Sequence, residues 1–319
     1  MNVKPFLRLI RFSNLVIVAL TQYLLQYHIL IPELRNIHVA PFLPDFPFFL
    51  LVLSTVLIAA GGYIVNDIED VEIDKLNKAE KKQIVGRIYP LSIAWKMYIF
   101  SIVVGFIISI YLAFYIDNII QILIYPAAVG MLYAYSKWWK KQPLIGNLVI
   151  SFFCAFVAWV VFYAEILNVN SEKLHQSLST SKAVLTGSGY DFVTLIFSGY
   201  AIFAFISTLF REIIKDIEDA EGDKVENCRT LPIVIGIKNS QGVAFLIGLV
   251  FLGMVFYYSY ILRVGVLQVI LLNFAISLPL MYALFLLLKA DKKEDFSFLS
   301  KFAKFIMLSG VVFILIMKI

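Results

Sequence analysis

Residues 47–65 read PFFLLVLSTVLIAAGGYIV, an apolar run that is followed directly at 66–74 by NDIEDVEID. The same order recurs later in the chain, where the apolar run 192–210 leads into REIIKDIEDAEGD at 211–223. DIEDVEID (67–74) and DIEDAEGD (216–223) are identical at six of eight positions and lie 149 residues apart. An apolar run of about 20 residues predicts a membrane-spanning helix. The chain therefore repeats one acidic sequence at the ends of two predicted spans, which indicates an internal repeat.

The rest of the chain is equally apolar. Of its 319 residues, 61% are hydrophobic and 15% are charged, whereas soluble domains have about 45–50% apolar and about 25% charged residues. A chain this apolar cannot cover itself with polar surface, which excludes a soluble globular enzyme and a disordered chain. A nucleic-acid-binding module is also excluded, because the basic residues lie between apolar runs and not on one basic face. Two cysteines, Cys154 and Cys228, are too few for a disulfide framework and lack the neighbours of a metal site.

Nine runs are long and apolar enough to cross a bilayer core of about 30 Å. They are 12–31, 47–65, 94–116, 119–135, 144–167, 192–210, 242–262, 264–288 and 300–317. We therefore predict an all-α integral membrane bundle of nine transmembrane helices, with cytoplasmic loops that cap a central cavity. The third and fourth runs meet at Asp117-Asn118, which predicts a tight turn. We expect residues 1–319 to form a single domain, a pseudo-repeat with Asp motifs at 66–74 and 215–223.

The positions of the basic residues predict the orientation of these spans. With the N-terminus in the cytoplasm, 22 of the 27 lysines and arginines lie on the inner side and five lie outside. Cytoplasmic loops carry an excess of Lys and Arg, so we predict a multi-pass protein of the cell (inner) membrane. Its N-terminus and both acidic loops face the cytoplasm. Arg11, Lys140 and Lys141 are interpreted as charges of this topological kind.

The acidic residues are concentrated in two places, because 13 of the 22 lie in the segments that follow the second and sixth runs. On an α-helix, the three aspartates of each copy share a face about 60° wide, and the glutamates between them point away. The aspartates are Asp67, Asp70 and Asp74 in the first copy and Asp216, Asp219 and Asp223 in the second. Carboxylates on one face repel each other, and Mg²⁺ is bound by one or two carboxylates together with substrate phosphates. The pattern predicts two aspartate stripes that face across a cavity and hold Mg²⁺ with a di- or polyphosphate; the alternative is two solvated helix ends.

The first copy, N-D-x-x-D-x-x-x-D from Asn66 to Asp74, resembles the first motif of the UbiA superfamily of intramembrane prenyltransferases, and the second copy resembles its D-x-x-D-x-x-x-D motif. The resemblance extends over nearly the whole chain. It implies a polyprenyl diphosphate donor, whose allylic C–O bond ionises with help from Mg²⁺, a lipid or aromatic acceptor, and surrounding membrane lipids. It implies that all six aspartates bind Mg²⁺ and that four of them are catalytic. These four are Asp70, Asp74, Asp219 and Asp223.

The resemblance also implies substrate-binding side chains beyond the aspartates. Tyr133 and Lys137 match a Y-x-x-x-K pair, which shares one helix face, and a lysine there can neutralise charge on the leaving group. The full set is Asn14, Asn66, Arg87, Tyr133, Lys137, Arg211 and Lys215. The chain departs from the N-R-P sequence of many members, since Pro90 stands three residues after Arg87. This departure separates it from quinone-forming members of that type.

The second motif region, with TLPI at 230–233, is most similar to the geranylgeranylglycerol-phosphate geranylgeranyltransferases, the ether-lipid branch of the superfamily. This similarity implies Mg²⁺-dependent transfer of a geranylgeranyl-like group to the hydroxyl of a prenylated glycerol phosphate. One alternative is an aromatic (quinone-precursor) prenyltransferase, and the non-enzyme alternative is a divalent cation transporter. A transport path requires ionisable residues inside the spans, and the predicted spans are nearly free of them.

Overall fold

The computed structural model describes residues 3–36, 40–71, 83–118, 120–165, 189–225, 227–261 and 265–317. Within these ranges the chain is helical, and the only extended pairing is an isolated bridge between Val85 and Tyr89. The all-α class that the apolar runs predict is therefore confirmed.

Thirteen α-helices form the described part of the chain. Helices α1 to α6 are Val3–Leu9, Phe12–Leu24, Ile31–Asn36, Asp45–Glu69, Leu91–Ile116 and Ile120–Lys137. Helices α7 to α13 are Ile145–Glu165, Gly189–Val225, Leu231–Ile235, Ile237–Ile261, Val266–Leu272, Leu278–Lys289 and Lys293–Phe313. Two π-helical turns, Leu25–Leu30 and Asn273–Ser277, join α2 to α3 and α11 to α12, and a 3₁₀ turn, Trp139–Lys141, follows α6.

Eight helical stretches in the described residues have the length and hydropathy of membrane spans, as expected of a multi-pass membrane protein. They are Phe12–Asn36, Asp45–Glu69, Leu91–Ile116, Ile145–Glu165, Val193–Val225, Ile237–Ile261, Val266–Lys289 and Lys293–Phe313. Each coincides with one of the nine predicted runs. The remaining run, 119–135, falls on α6, which is not among these eight. The count of nine spans therefore stays a prediction.

The chain divides into two compact units, and each contains one copy of the acidic repeat. The first unit consists of Met1–Tyr23 and Phe42–Lys140, and the second of Leu24–Pro41 and Lys141–Ile319. The single domain over 1–319 remains a prediction.

In the first unit, the acidic end of α4 rests on a hydrophobic cluster. Ile64, Val65 and Ile68 of α4 pack there against Leu9 of α1 and against residues of the turn at 84–89. Gly86 shapes this turn with a φ of 86°, which glycine adopts without a Cβ clash. Asp67 and Asp70 of the first motif therefore lie at a well-packed helix end.

The tight turn predicted between α5 and α6 is confirmed at the end of α5. Asp117 adopts a left-handed φ of 56°, and the backbone N–H of Asn118 donates to the carbonyl of Ala113 at 3.0 Å. This arrangement is typical of helix C-termini.

In the second unit, α8 is the central helix and packs against α7, α10 and α13. It contains 37 residues, so it is about 55 Å long, which exceeds the bilayer core of about 30 Å. The predicted span ends at Phe210, but the helix continues to Val225. The second acidic motif is therefore part of one uninterrupted helix.

One acidic residue lies inside a predicted span, which corrects the expectation that the spans are nearly free of charge. Glu165, the last residue of α7, is buried and accepts a hydrogen bond of 2.6 Å from the amide of Gln26, which is also buried. Gln26 lies in the π-helical turn Leu25–Leu30. This pair joins the two elements inside the second unit.

Candidate functional site

The first aspartate motif forms a small hydrogen-bonded cluster at the end of α4. The helix ends at Glu69, and the Asn66 amide donates to the Asp70 carboxylate at 3.0 Å. Lys140, in the 3₁₀ turn after α6, forms an ion pair with Asp70, and its ammonium also lies 3.4 Å from the Asn66 side-chain oxygen. The side chains of Lys140 and Asp70 are 15% and 21% exposed, so solvent screens this pair less than a surface pair.

A second cation lies beside Asp67. Arg11, between α1 and α2, has a guanidinium nitrogen 3.8 Å from the Asp67 carboxylate and lies 4.6 Å from the centroid of the Tyr63 ring. Asn14 donates to the Tyr63 hydroxyl at 3.3 Å. Arg11 has a φ of 48°, a left-handed conformation that costs a non-glycine residue about 1–3 kcal/mol. The turn therefore places Arg11 specifically at the acidic end of α4.

The structure brings some of the predicted residues of the first unit together and leaves others apart. Asn66 contacts Asp70 directly, and Asn14 and Asp67 are connected through Tyr63 and Arg11, whereas Asp74 lies outside the described residues.

Tyr133 packs against the hydrophobic cluster below α4, and the Lys137 ammonium lies 5.6 Å and 5.2 Å from the centroids of the Tyr133 and Trp138 rings. Lys137 thus contacts aromatic faces, and Lys140 contacts the aspartate. Arg87 is exposed in the turn at 84–89.

Sequence reasoning missed Lys140 and Arg11 as site residues, because both were interpreted as topological charges. The path of the chain changes from α-helix to 3₁₀ turn at Trp139, so helical spacing alone does not place Lys140. One sequence pattern did point to Lys140. It follows Tyr133 by seven residues, or about two helical turns, which is the spacing of residues on the same helix face. No comparable signal points to Arg11, whose position depends on its left-handed φ.

The second motif lies along the half of α8 that the distribution of basic residues predicts to face the cytoplasm. Asp216 accepts a hydrogen bond of 2.9 Å from the Asn147 amide of α7, and Asp223 accepts one of 2.9 Å from the Thr230 hydroxyl. Asp219 and Lys215 are exposed. Because the helix is continuous, the three aspartates keep the shared face that their spacing predicts.

Arg211 precedes these aspartates on α8. It forms an ion pair with Glu212, the next residue. Its Nε atom is buried and has no hydrogen-bond partner among the described residues. The structure therefore places this predicted substrate-binding residue in a polar position with unused donor capacity.

The chemistry of the donor groups fits a hard divalent cation. Among the residues that the structure describes, no three His, Cys, Asp or Glu side chains form a ready-made metal cluster. Mg²⁺, however, usually takes one or two carboxylates and completes its shell with water and substrate phosphates. Asp67 and Asp70 on α4, and the three aspartates on α8, supply such carboxylates at two helix ends.

Comparisons with known proteins address the family of the chain. The model of the UbiA prenyltransferase family matches residues 37–308. A digeranylgeranylglyceryl phosphate synthase of Sulfurisphaera tokodaii is 32% identical over 240 residues, which is 75% of this chain and 73% of the relative. The synthase of the same name from Methanocaldococcus jannaschii is 29% identical over 321 residues, which is 96% of this chain and 93% of the relative.

Solved structures share the fold. A structure described as that of digeranylgeranylglyceryl phosphate synthase in membranes has a TM-score of 0.65 and 24% identity, and the match covers 99% of both chains. A UbiA homolog from Archaeoglobus fulgidus bound to DMAPP and Mg²⁺ has a TM-score of 0.58 and 15% identity over 98% of this chain and 99% of that one. At these identities the likeness establishes the membrane helical fold.

Proposed function

The chain belongs to the UbiA prenyltransferase family, and we propose that it transfers a geranylgeranyl-like group from its diphosphate to the hydroxyl of a prenylated glycerol phosphate. It is a prenyl-transferring enzyme of the multi-pass membrane type. The finer assignment rests on its similarity to relatives named digeranylgeranylglyceryl phosphate synthase, which match three quarters or more of the chain. In the reaction, the donor C1–O bond breaks with its electron pair left on the diphosphate. The acceptor oxygen bonds to C1, and its proton passes to the released diphosphate, a carboxylate or water.

The two aspartate stripes bind the diphosphate through Mg²⁺ in this proposal. The residues that hold the metal are Asp67, Asp70, Asp74, Asp216, Asp219 and Asp223. When bound, Mg²⁺ neutralises charge that develops on the leaving diphosphate. The assignment is supported by the oxygen donors at both helix ends and by the Mg²⁺ bound to the A. fulgidus homolog. The catalytic roles of Asp70, Asp74, Asp219 and Asp223 follow from it.

In this proposal, side chains in the first motif and two cations beside it orient the donor. Asn66 holds the Asp70 carboxylate, and Lys140 is placed to exchange its ion pair with Asp70 for one with a phosphate oxygen. Arg11 has the same relation to Asp67. The predicted substrate-binding residues remain part of the proposal; they are Asn14, Asn66, Arg87, Tyr133, Lys137, Arg211 and Lys215. The cytoplasmic position of the site, in the cell (inner) membrane, is supported by the distribution of basic residues.

A transfer assay tests the proposed function. Membranes that contain the protein are incubated with labelled prenyl diphosphates of several lengths and with geranylgeranylglyceryl phosphate, 4-hydroxybenzoate or dihydroxynaphthoate. We expect label in the glycerol phosphate lipid and none in the aromatic acids. Transfer to an aromatic acid alone would replace the acceptor assignment. Uptake of divalent cations into sealed vesicles without any transfer would favour the transporter alternative.

Replacing Lys140 with glutamine is expected to raise the KM for the prenyl diphosphate about tenfold or more, because a charge-assisted contact with phosphate is lost. The measurement is the initial rate at varied donor concentration and saturating acceptor. The structure places Lys140 beside Asp70, whereas the family resemblance points to Lys137. The same change at Lys137 is therefore expected to have the smaller effect.

Lys141→Gln is the matched control, since Lys141 lies in the same 3₁₀ turn and its side chain has no contact with an aspartate among the described residues. Its backbone carbonyl, which accepts the N–H of Arg229, is unchanged by the substitution. A donor KM that rises more in Lys137→Gln than in Lys140→Gln would return the phosphate contact to Lys137.

A further inference from the structure

Thr230, the first residue of the TLPI sequence at 230–233, directs its side chain away from the helix that it begins. It occupies the N-cap position of α9, where a threonine hydroxyl ordinarily accepts a hydrogen bond from a backbone N–H of the first turn. Here the side chain makes no such capping bond, and its buried hydroxyl donates to the Asp223 carboxylate at 2.9 Å. The Thr230 backbone carbonyl accepts the N–H groups of Ile233 and Val234. The backbone therefore starts the helix, and the hydroxyl is directed to the aspartate.

The turn after α8 brings Thr230 back to Asp223. The helix ends at Val225, and Asn227 has a left-handed φ of 55°, which asparagine tolerates better than most residues. The backbone N–H of Cys228 then donates to the backbone carbonyl of Asp223 at 2.9 Å. The contact between the Thr230 hydroxyl and the Asp223 carboxylate is therefore closed by a hydrogen-bonded turn of the backbone.

Asn147 makes an equivalent contact with the first aspartate of the same motif. It is the third residue of α7, which packs against α8, and its buried side-chain amide donates to the Asp216 carboxylate at 2.9 Å. Asp216 and Asp223 are seven residues apart on one continuous helix, so they lie about 20° apart around its axis and about 10.5 Å apart along it. A buried neutral donor from another element therefore holds each outer aspartate of the second motif.

These contacts suit carboxylates that bind a metal ion. A carboxylate has about four lone-pair sites, so one hydrogen bond from an amide or a hydroxyl fixes its orientation and does not exhaust its capacity for a cation. Mg²⁺ requires near-octahedral geometry with bonds of about 2.0–2.1 Å, and ligands that are already oriented meet this requirement better than mobile ones. Removing a group that orients a metal ligand typically weakens metal binding about 10- to 100-fold.

We propose that Asn147 and Thr230 are positioning residues, which orient the carboxylates of Asp216 and Asp223 for Mg²⁺. This inference rests on the proposed binding of Mg²⁺ by the aspartates. It gives the threonine of TLPI a role in the site, although this residue lies beyond the aspartate motif in the sequence. Both residues act through an aspartate and need no contact with the metal or the substrates.

The test measures Mg²⁺ binding without turnover in detergent-purified, full-length protein. Geranylgeranyl thiolodiphosphate, a donor analogue with sulfur in place of the C1 oxygen, is present at saturating concentration, and the unfolding temperature is recorded at a series of free Mg²⁺ concentrations. A ligand that binds the folded protein raises this temperature. The readout is the Mg²⁺ concentration that gives half of the maximal rise. A hydrogen bond that serves the fold alone changes the metal-free unfolding temperature and leaves this concentration unchanged.

Thr230→Val keeps the shape of the side chain and removes the hydroxyl, and it is expected to raise the half-maximal Mg²⁺ concentration about tenfold or more. Thr230→Ser keeps the hydroxyl and is expected to stay within about twofold of the wild type. Asn147→Leu, which removes the amide at similar size, is expected to behave as Thr230→Val does. Asn147→Ala, which introduces no larger group, tests the same contact if the leucine variant does not fold.

Double variants test whether each residue acts through its aspartate. Thr230→Val is expected to cause no further shift when Asp223 is already replaced by asparagine, and Asn147→Leu none when Asp216 is already replaced, because the coupled effects of residues in contact are not additive. A further shift of the full size in either double variant would show that the residue acts independently of the aspartate and would overturn the inference for it.

Ser240→Ala is the control, because the buried Ser240 hydroxyl of α10 donates to the Gly236 carbonyl at 2.9 Å. It is expected to leave the half-maximal Mg²⁺ concentration unchanged. An unchanged concentration in Thr230→Val or in Asn147→Leu would overturn the inference for that residue. Wild-type protein whose unfolding temperature does not respond to Mg²⁺ contradicts the proposed metal site itself, which distinguishes that failure from failure of this inference.

Discussion

Replacing Asp70 with alanine is expected to lower kcat/KM for prenyl transfer about 1,000-fold or more, which corresponds to about 4 kcal/mol of lost transition-state stabilisation. Asp70 is the carboxylate at the end of α4 that is fixed by Asn66 and paired with Lys140. Its removal takes a ligand from the proposed Mg²⁺ and leaves Lys140 without its carboxylate partner. The measurement is the initial rate in membranes that contain equal amounts of variant and wild-type protein.

Glu69→Ala is the matched control for this prediction. Glu69 is the adjacent residue and ends α4, but successive residues on a helix point about 100° apart. We expect Glu69→Ala to keep at least about half of the wild-type rate. Asp70→Asn keeps the size of the side chain and removes its charge, so it is expected to lose activity as Asp70→Ala does. Near-wild-type transfer by both Asp70 variants would exclude a metal-binding role for this carboxylate.

The helical fold was predictable because membrane spans depend on the hydropathy of each run of residues, which can be read directly from the sequence. Each span of about 20 apolar residues must satisfy its backbone polar groups internally, so helix is the expected structure for every apolar run. Hydropathy does not determine where a helix ends, however. Helix α8 continues from the apolar run through the whole second motif to Val225, because REIIKDIEDAEGD contains no proline and its one glycine, Gly222, weakens a helix without ending it.

The aspartates of the candidate site were indicated by the sequence because they repeat with helical spacing. Their partners were not, since Asn147 reaches Asp216 across 69 residues and Lys140 reaches Asp70 across 70. Such contacts depend on how helices pack, and periodicity within one helix carries no information about it. The contact between Arg11 and Asp67 was not predictable either. It depends on the left-handed backbone conformation of Arg11 itself, which few sequence patterns indicate.

The two copies of the repeat also differ in their surroundings, although their sequences are nearly the same. Asp67 and Asp70 each lie beside a cation, whereas Asp216 and Asp223 each accept a hydrogen bond from a neutral side chain. The partners that hold these four carboxylates therefore differ in charge between the two copies, although the acidic sequence is repeated.

Chelation of divalent cations is expected to abolish transfer, and added Mg²⁺ is expected to restore it. Membranes are treated with EDTA, washed and assayed at a series of free Mg²⁺ concentrations. Ca²⁺ is expected to restore less activity, because it prefers longer bonds and more ligands than Mg²⁺. Full activity in EDTA would contradict the assignment of the aspartates to a metal.

The Mg²⁺ dependence of Asp219→Asn extends this prediction to the second motif. If Asp219 is a ligand, its neutral variant is expected to need about tenfold more Mg²⁺ for half-maximal rate, since a charged ligand is lost. Glu221→Gln is the control: Glu221 is also exposed on α8, but it lies about 200° away around the helix. An unchanged Mg²⁺ requirement in Asp219→Asn, with a lower maximal rate, would indicate that this carboxylate acts on the substrates without binding the metal. An equal shift in both variants would show that the effect comes from the net charge of the helix end and not from coordination.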